Sequence, residues 1–401
     1  MVRIAAFEVE QWMDEYETTP GCLNIAETCA ASVSVDDLVG LSEDKNAPGP
    51  VDLSTKLVYG PIRGSVPLRQ RVAALCGGDG SSDSSVLDQE DVLITQGAIG
   101  ANFLLLYTLI NPGDHVVCVY PTYQQLYGVP ESLGADVSLW KLKKENGFVP
   151  DVKELEGIVK SNTKMIIVNN PNNPTGAPIP TAVLRDIIAF AKARDIIVFS
   201  DEVYRPLFHN FFDDGSEVPP PVTTFGYDKV IVTGSMSKSY ALAGIRIGWI
   251  ASKDKSIIQT IASARDYTTI SVSQIDDQIA SYALSKPVWK PLLKRNIALA
   301  NTNKALLEDF IKKHKNVCSW VKPQAGTTAF IQFTNKGNPV DDVHFCQDLL
   351  SKTNVFFVPG SKCFGHDEDF AGYVRIGYVC HTNVLEEALG KLSAYVESNF
   401  S

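Results

Sequence analysis

Lys229-Val-Ile-Val-Thr-Gly-Ser-Met-Ser-Lys238 decides how this chain is read, because an apolar, β-branched run breaks into small hydroxyl residues and closes on an amine. A run such as Val230 to Thr233 reads as a buried strand. It delivers Lys238 just past the strand's carboxyl end, where open α/β sheets hold their ligands. An ordinary lysine, with a pKa of about 10.4, is a poor nucleophile at neutral pH, but desolvation or a neighbouring cation releases its amine character. Ser235, Ser237 and, further on, Arg246 are the donors a phosphate needs. The stretch therefore reads as a Schiff-base lysine beside an anion site; the competing reading is a surface lysine after a strand.

Working outward, apolar runs of strand length occur at residues 91–95, 115–120, 136–142, 164–169, 195–200, 229–233 and 246–251. Helical patterns alternate with them, at 100–110 and at 181–194, where Val183, Leu184, Ile187, Ile188 and Ala191 recur on a helical period. This alternation predicts an α/β fold with a mostly parallel sheet of seven strands. A long helical pattern at 289–314 then gives way to shorter strands and two amphipathic helices, which marks a smaller α+β domain. The expected division is an N-terminal arm at 1–50 contributing to the small domain, a large ligand-binding domain at 51–288 and the small domain at 289–401. Residues 77–85 and 213–224 read as surface loops from their glycine, serine, aspartate and proline content.

Composition narrows the function. The chain has 401 residues, 45% hydrophobic and 20% charged, enough for a large core. Its formal charge of −10 and lack of a basic stripe argue against a nucleic-acid surface. Eight cysteines are scattered without the Cys-x-x-Cys spacing of a metal site or the density of a disulfide scaffold, so reduced thiols, a cytoplasmic setting and no bound metal are expected. The first 17 residues carry five acidic side chains and no apolar core of a signal peptide, and no apolar run reaches membrane-spanning length.

Four further motifs fall at strand ends. The prolines and glycine of Asn169-Asn-Pro-Asn-Asn-Pro-Thr-Gly176 force a turn that brings Asn173 to the sheet edge. Asp201-Glu-Val-Tyr204 places a carboxylate where a hydrophobic strand emerges, and such a charge wants a cationic partner. Thr95-Gln-Gly-Ala-Ile-Gly100 joins a strand to a helix, so its backbone amides can cradle phosphate. Pro121-Thr-Tyr123 presents an aromatic face at the same rim.

The order and spacing of these motifs, with Tyr59-Gly-Pro-Ile-Arg-Gly64, Asn111-Pro-Gly-Asp, Gly244-Ile-Arg246-Ile-Gly248 and Val374-Arg375, resemble the fold type I pyridoxal phosphate enzymes, specifically the class I and II aminotransferase family. The resemblance spans nearly the whole chain and implies the following roles. Lys238 bonds covalently to the pyridoxal 5'-phosphate aldehyde and carries the Cα proton. Asp201 keeps the pyridine nitrogen protonated, Asn173 and Tyr204 hydrogen-bond the ring's phenolic oxygen, and Tyr123 stacks on the ring. Ser235, Ser237, Arg246 and the Ala98 and Ile99 amides hold the phosphate, with Tyr59 reaching in from a second subunit of a homodimer. Arg375 clamps the substrate carboxylate.

Two departures bear on the reaction. Ile99 stands where many relatives carry a phosphate-binding hydroxyl. Leu23-Asn-Ile-Ala-Glu27-Thr-Cys29 looks less like the glycine-rich segment of ordinary transaminases than like the Leu-Ala-Glu-Asn segment of 1-aminocyclopropane-1-carboxylate synthases, which implies that Glu27 faces substrate; the competing reading is an exposed or capping carboxylate. Three functions follow: amino-group transfer, a lyase, cyclase or oxidase using Glu27, and a non-catalytic binding module such as the sensing half of a transcription regulator. The last lacks its basic DNA-binding domain, and Lys238, Asp201 and Arg375 are all retained.

Overall fold

In the computed structural model, which describes residues 4–78, 87–213 and 217–400, the chain opens on helix α1 (Glu8–Tyr16). Val9 and Trp12 share its buried side, and the Trp12 indole N–H donates to the Phe357 carbonyl at 3.1 Å. Beyond α1, Leu23–Asn24 pairs in parallel with Val355–Phe356, so the N-terminal segment is tied to the C-terminal part of the chain.

Seven strands form the central sheet: β1 (Val92–Gln96), β2 (His115–Tyr120), β3 (Asp136–Lys141), β4 (Thr163–Asn169), β5 (Ile197–Asp201), β6 (Val230–Ser235) and β7 (Ile247–Ser252). Their spatial order is β1-β7-β6-β5-β4-β2-β3. All neighbours are parallel except β7, which runs antiparallel to β1 and β6. The expected mostly parallel seven-stranded α/β sheet is therefore present, with boundaries shifted by a residue or two.

The apolar runs lack a polar face because both faces of the sheet are covered. On β2, Val117 and Val119 enter one core while Val116, Cys118 and Tyr120 enter the other; on β4, Ile166 and Val168 oppose Met165 and Ile167 in the same way. Helix α2 (Gly97–Leu109) packs on one face, and α3 (Thr181–Ala193) buries Leu184, Ile187, Ile188 and Ala191 on the other.

Helix α4 (Lys286–Lys313) begins before the expected boundary at 289 and runs across it. The proline at 287 suits a first helical turn. Pro291 lies inside the helix and cannot donate to the Pro287 carbonyl, which instead accepts the Glu43 N–H at 2.9 Å. A second sheet centres on β8 (Thr328–Asn335) and β9 (Tyr373–Gly377), antiparallel with Phe330 opposite Arg375. The expected loop at 77–85 lies mostly outside the described residues, as does part of 213–224, whose described end holds a short turn at Val222–Thr224. No described helix is long and apolar enough to cross a membrane, and all eight cysteines carry free thiols.

Candidate active site

Parallel strands bring their last residues to one rim, with Asn169 opposite Asp201 and Asp201 opposite Thr233, two residues before Ser235. Since β7 runs the other way, its first residues start at that rim, which explains why Arg246 joins the group. A cavity of about 630 Å³ opens there. It is lined by Glu27, Ala98, Ile99, Tyr123, Asn173, Asp201, Tyr204, Ser235, Ser237, Lys238, Arg246 and Arg375. Tyr59 alone among the expected site residues lies elsewhere, 82% exposed.

One end of the cavity is built for an anion. A Cβ on Gly248 would stand 2.4 Å from the Gly97 carbonyl carbon, and one on Gly97 would stand 2.7 Å from the Arg246 guanidinium. Glycines at both positions thus let the β7 backbone press against the start of α2 and set Arg246 over it. The first amides of a 13-residue helix have no partner within the helix and lie at its positive end. Such a terminus is a ready site for an anion. Arg246 itself takes a left-handed conformation, φ +52°, with one guanidinium N–H donating to the Ala243 carbonyl at 3.0 Å.

Asp201 is buried, and its two oxygens accept from the Val203 N–H and the Asn102 amide, both at 3.0 Å. Asn102 in turn accepts from the Thr233 hydroxyl at 2.7 Å. Burial pushes the Asp201 carboxyl up to about 6, against the pull of the two donors. A buried acid in this state calls for a cation in front of it.

The Lys238 amine donates to the Thr28 hydroxyl at 2.6 Å and lies 3.5 Å from the Cys29 sulfur and 3.6 Å from Glu27. Burial disfavours its charge, but Cys29, Glu27 and Tyr204 together raise its pKa above the ordinary lysine value. Burial also lifts the Cys29 thiol to about 11 and raises the Tyr204 phenol, so both are uncharged at neutral pH. Glu27 is the partner that acts. Burial opposes its ionisation, yet Lys238 and the Thr28 and Cys29 N–H groups hold its carboxyl down to about 2.

Arg375 rises from β9 with one guanidinium N–H on the Asn173 side-chain oxygen at 3.4 Å and another on the Ala26 carbonyl at 3.0 Å. Its Nε is buried without a partner. Tyr123 donates its hydroxyl to Glu10 at 2.7 Å. Sequence reasoning missed Asn102, Thr233, Thr28 and the acidic residues of α1 that reach the cavity. A polar residue within the apolar stretch Gly97–Leu109 was the available signal for Asn102.

Residues 48–392 match the family described as aminotransferase class I and II. The chain belongs to that family. Capreomycidine synthase of Streptomyces vinaceus is 30% identical over 307 residues, 75% of this chain and 73% of its own. Aspartate aminotransferase of Thermotoga maritima is 28% identical over 343 residues, covering 85% and 84%. Among solved structures, a PLP-dependent aminotransferase from Streptococcus suis superposes with a TM-score of 0.87 at 36% identity, covering 100% of this chain and 99% of the other. This aminotransferase is an enzyme of the fold type I architecture that uses pyridoxal 5'-phosphate. The cradle at Gly97 and Gly248, the buried Asp201 and the unpartnered Arg375 Nε fit that cofactor and a carboxylate substrate.

Proposed function

We propose that this aminotransferase exchanges the amino group of an α-amino acid for the carbonyl oxygen of a keto acid, with Lys238 as covalent anchor and proton carrier. The observation that carries the reading is one cavity holding a lysine amine, a buried carboxylate, an anion cradle and an arginine with an unpartnered nitrogen. Bound pyridoxal phosphate supplies an electron sink for the carbanion at Cα.

The side chains divide the remaining tasks. Arg246, Ser235, Ser237 and the Ala98 and Ile99 amides would hold the phosphate, while Asp201, steadied by Asn102, would keep the ring nitrogen protonated. Tyr123 would cover the ring face, and the Asn173 amide and Tyr204 hydroxyl would donate to the phenolic oxygen. Arg375 would clamp the substrate carboxylate, and the Lys238 amine would accept and return the Cα proton. A homodimer in which Tyr59 reaches the partner's phosphate site is supported by the exposed apolar run that includes Leu53, Leu57, Val58, Tyr59 and Ile62. Free thiols throughout support a cytoplasmic setting.

Incubating the pyridoxal phosphate-loaded protein with amino acids and pyruvate or 2-oxoglutarate tests the reading by mass spectrometry. Stoichiometric exchange is expected; ammonia or a cyclic amino acid in place of a keto acid would overturn it. The latter outcome is the second reading, favoured by the carboxylate of Glu27 at 3.6 Å from the Lys238 amine. Under that reading Glu27→Gln changes the product ratio.

A further inference from the structure

Five acids and three bases line the cavity, and the proposed chemistry engages all three bases. Arg246 would face the phosphate, Arg375 the substrate carboxylate and Lys238 the cofactor aldehyde, while the ring nitrogen would match Asp201. Four carboxylates remain: Glu10, Asp14, Glu17 and Glu27.

Glu10 and Asp14 lie on α1 and Glu17 caps its end in helical geometry, so the three, spaced by four and three, align along one stripe. Their placement runs against local stability. Glu10 and Asp14 form a like-charged pair four residues apart, and Asp14 and Glu17 sit at the negative end of the helix dipole, where no basic residue balances them. None of the three joins an ion pair among the described residues, unlike Glu8 on the same helix, which pairs with Lys362. Glu17 is raised above the usual carboxylate range, first by burial and then by the charges of Glu27, Glu10 and Asp14. A separate observation shows that a ligand belongs in this cavity: Arg375 is only 4% exposed, lines it, and keeps its Nε without a partner.

We infer that the substrate side chain is cationic, a guanidinium or ammonium group received by the acidic stripe of α1 while Arg375 takes the α-carboxylate. The inference rests on the proposed amino-group chemistry and names its substrate class. Carboxylates that repel one another gain most from a charged donor, since nitrogen cations supply several N–H groups at once. A neutral side chain of equal shape leaves that repulsion in place.

Arginine and citrulline, matched in length and shape, provide the test on the loaded protein. Arginine should exceed citrulline in kcat/KM by about tenfold or more, roughly the value of one charge-assisted hydrogen bond. The double change Asp14→Asn with Glu17→Gln should erase most of that preference through KM. Calorimetry with 5-guanidinopentanoate against 5-ureidopentanoate, which lack the α-amino group and cannot react, should show the same preference in affinity. Equal use of arginine and citrulline, or a ratio unmoved by the double change, overturns the cationic assignment while leaving amino-group transfer intact. Absence of turnover with every amino acid removes both readings.

Discussion

Replacing Asp201 with asparagine should stabilise the cofactor-free protein, and only above a definite pH. Burial raises the Asp201 carboxyl from 3.8 to about 6. Because the folded value lies above the unfolded one, the favourable contribution of the bound proton is complete below the unfolded pKa and lost as pH rises through about 6. A shift of about two units corresponds to about 3 kcal/mol, an order-of-magnitude figure. Asparagine carries no charge at any pH, and its hydrogen bonds can be met: its oxygen accepts from Val203, and a flipped Asn102 accepts its N–H while donating to Thr233. Urea unfolding of the two cofactor-free proteins should show no pH-dependent difference below pH about 4 and a variant more stable by up to about 3 kcal/mol above pH about 7. Loading with pyridoxal phosphate should reverse the order, because asparagine cannot hold a protonated ring nitrogen. Identical pH dependence in the two cofactor-free proteins would refute the burial of a strained charge at this position.

Arg375→Ala should raise KM for amino acids by about a hundredfold with a smaller change in kcat, as expected for loss of a buried charged clamp; unaltered steady-state kinetics would move carboxylate recognition elsewhere. Gly248→Ala introduces a Cβ 2.4 Å from the Gly97 carbonyl carbon, so the phosphate cradle must open. Absorbance titration should then show cofactor affinity lower by about tenfold or more, equivalent to about 1.4 kcal/mol, and an unchanged affinity would contradict the cradle. Asn102→Leu strips the donor from Asp201 and the acceptor from Thr233. Denaturant unfolding should register a loss of about 1–3 kcal/mol, whereas a neutral effect would show that the chain of bonds is not needed.

The seven strands were legible because a sheet covered on both faces writes itself as continuous apolar runs, and the small hydroxyl, glycine and proline residues at their ends mark where the chain turns into the site. Lys238, Asp201 and Arg246 follow from that logic, since each stands beside a strand end. Arg375 was placed by its resemblance to a family pattern, as nothing in Tyr373–Gly377 by itself distinguishes it from a surface ion pair. Helix α1 was not anticipated. Nine residues with two buried side chains are too few to declare a helix, and its position over the cavity depends on docking Trp12 against Phe357, a contact across 345 residues of sequence. The acidic residues at 8–17 therefore served in the sequence only to argue against a signal peptide, and no site role was expected of them. Asn102 was hidden for a related reason: its partners, Asp201 and Thr233, are supplied by β5 and β6, far along the chain.

Borohydride reduction of the pyridoxal phosphate-loaded protein, followed by peptide mapping, addresses the central claim most directly. The phosphopyridoxyl group should be recovered on Lys238 and on no other residue, with the visible absorbance lost in step. Recovery on a different lysine, or no covalent label at all, would contradict the assignment of Lys238 and the site built around it.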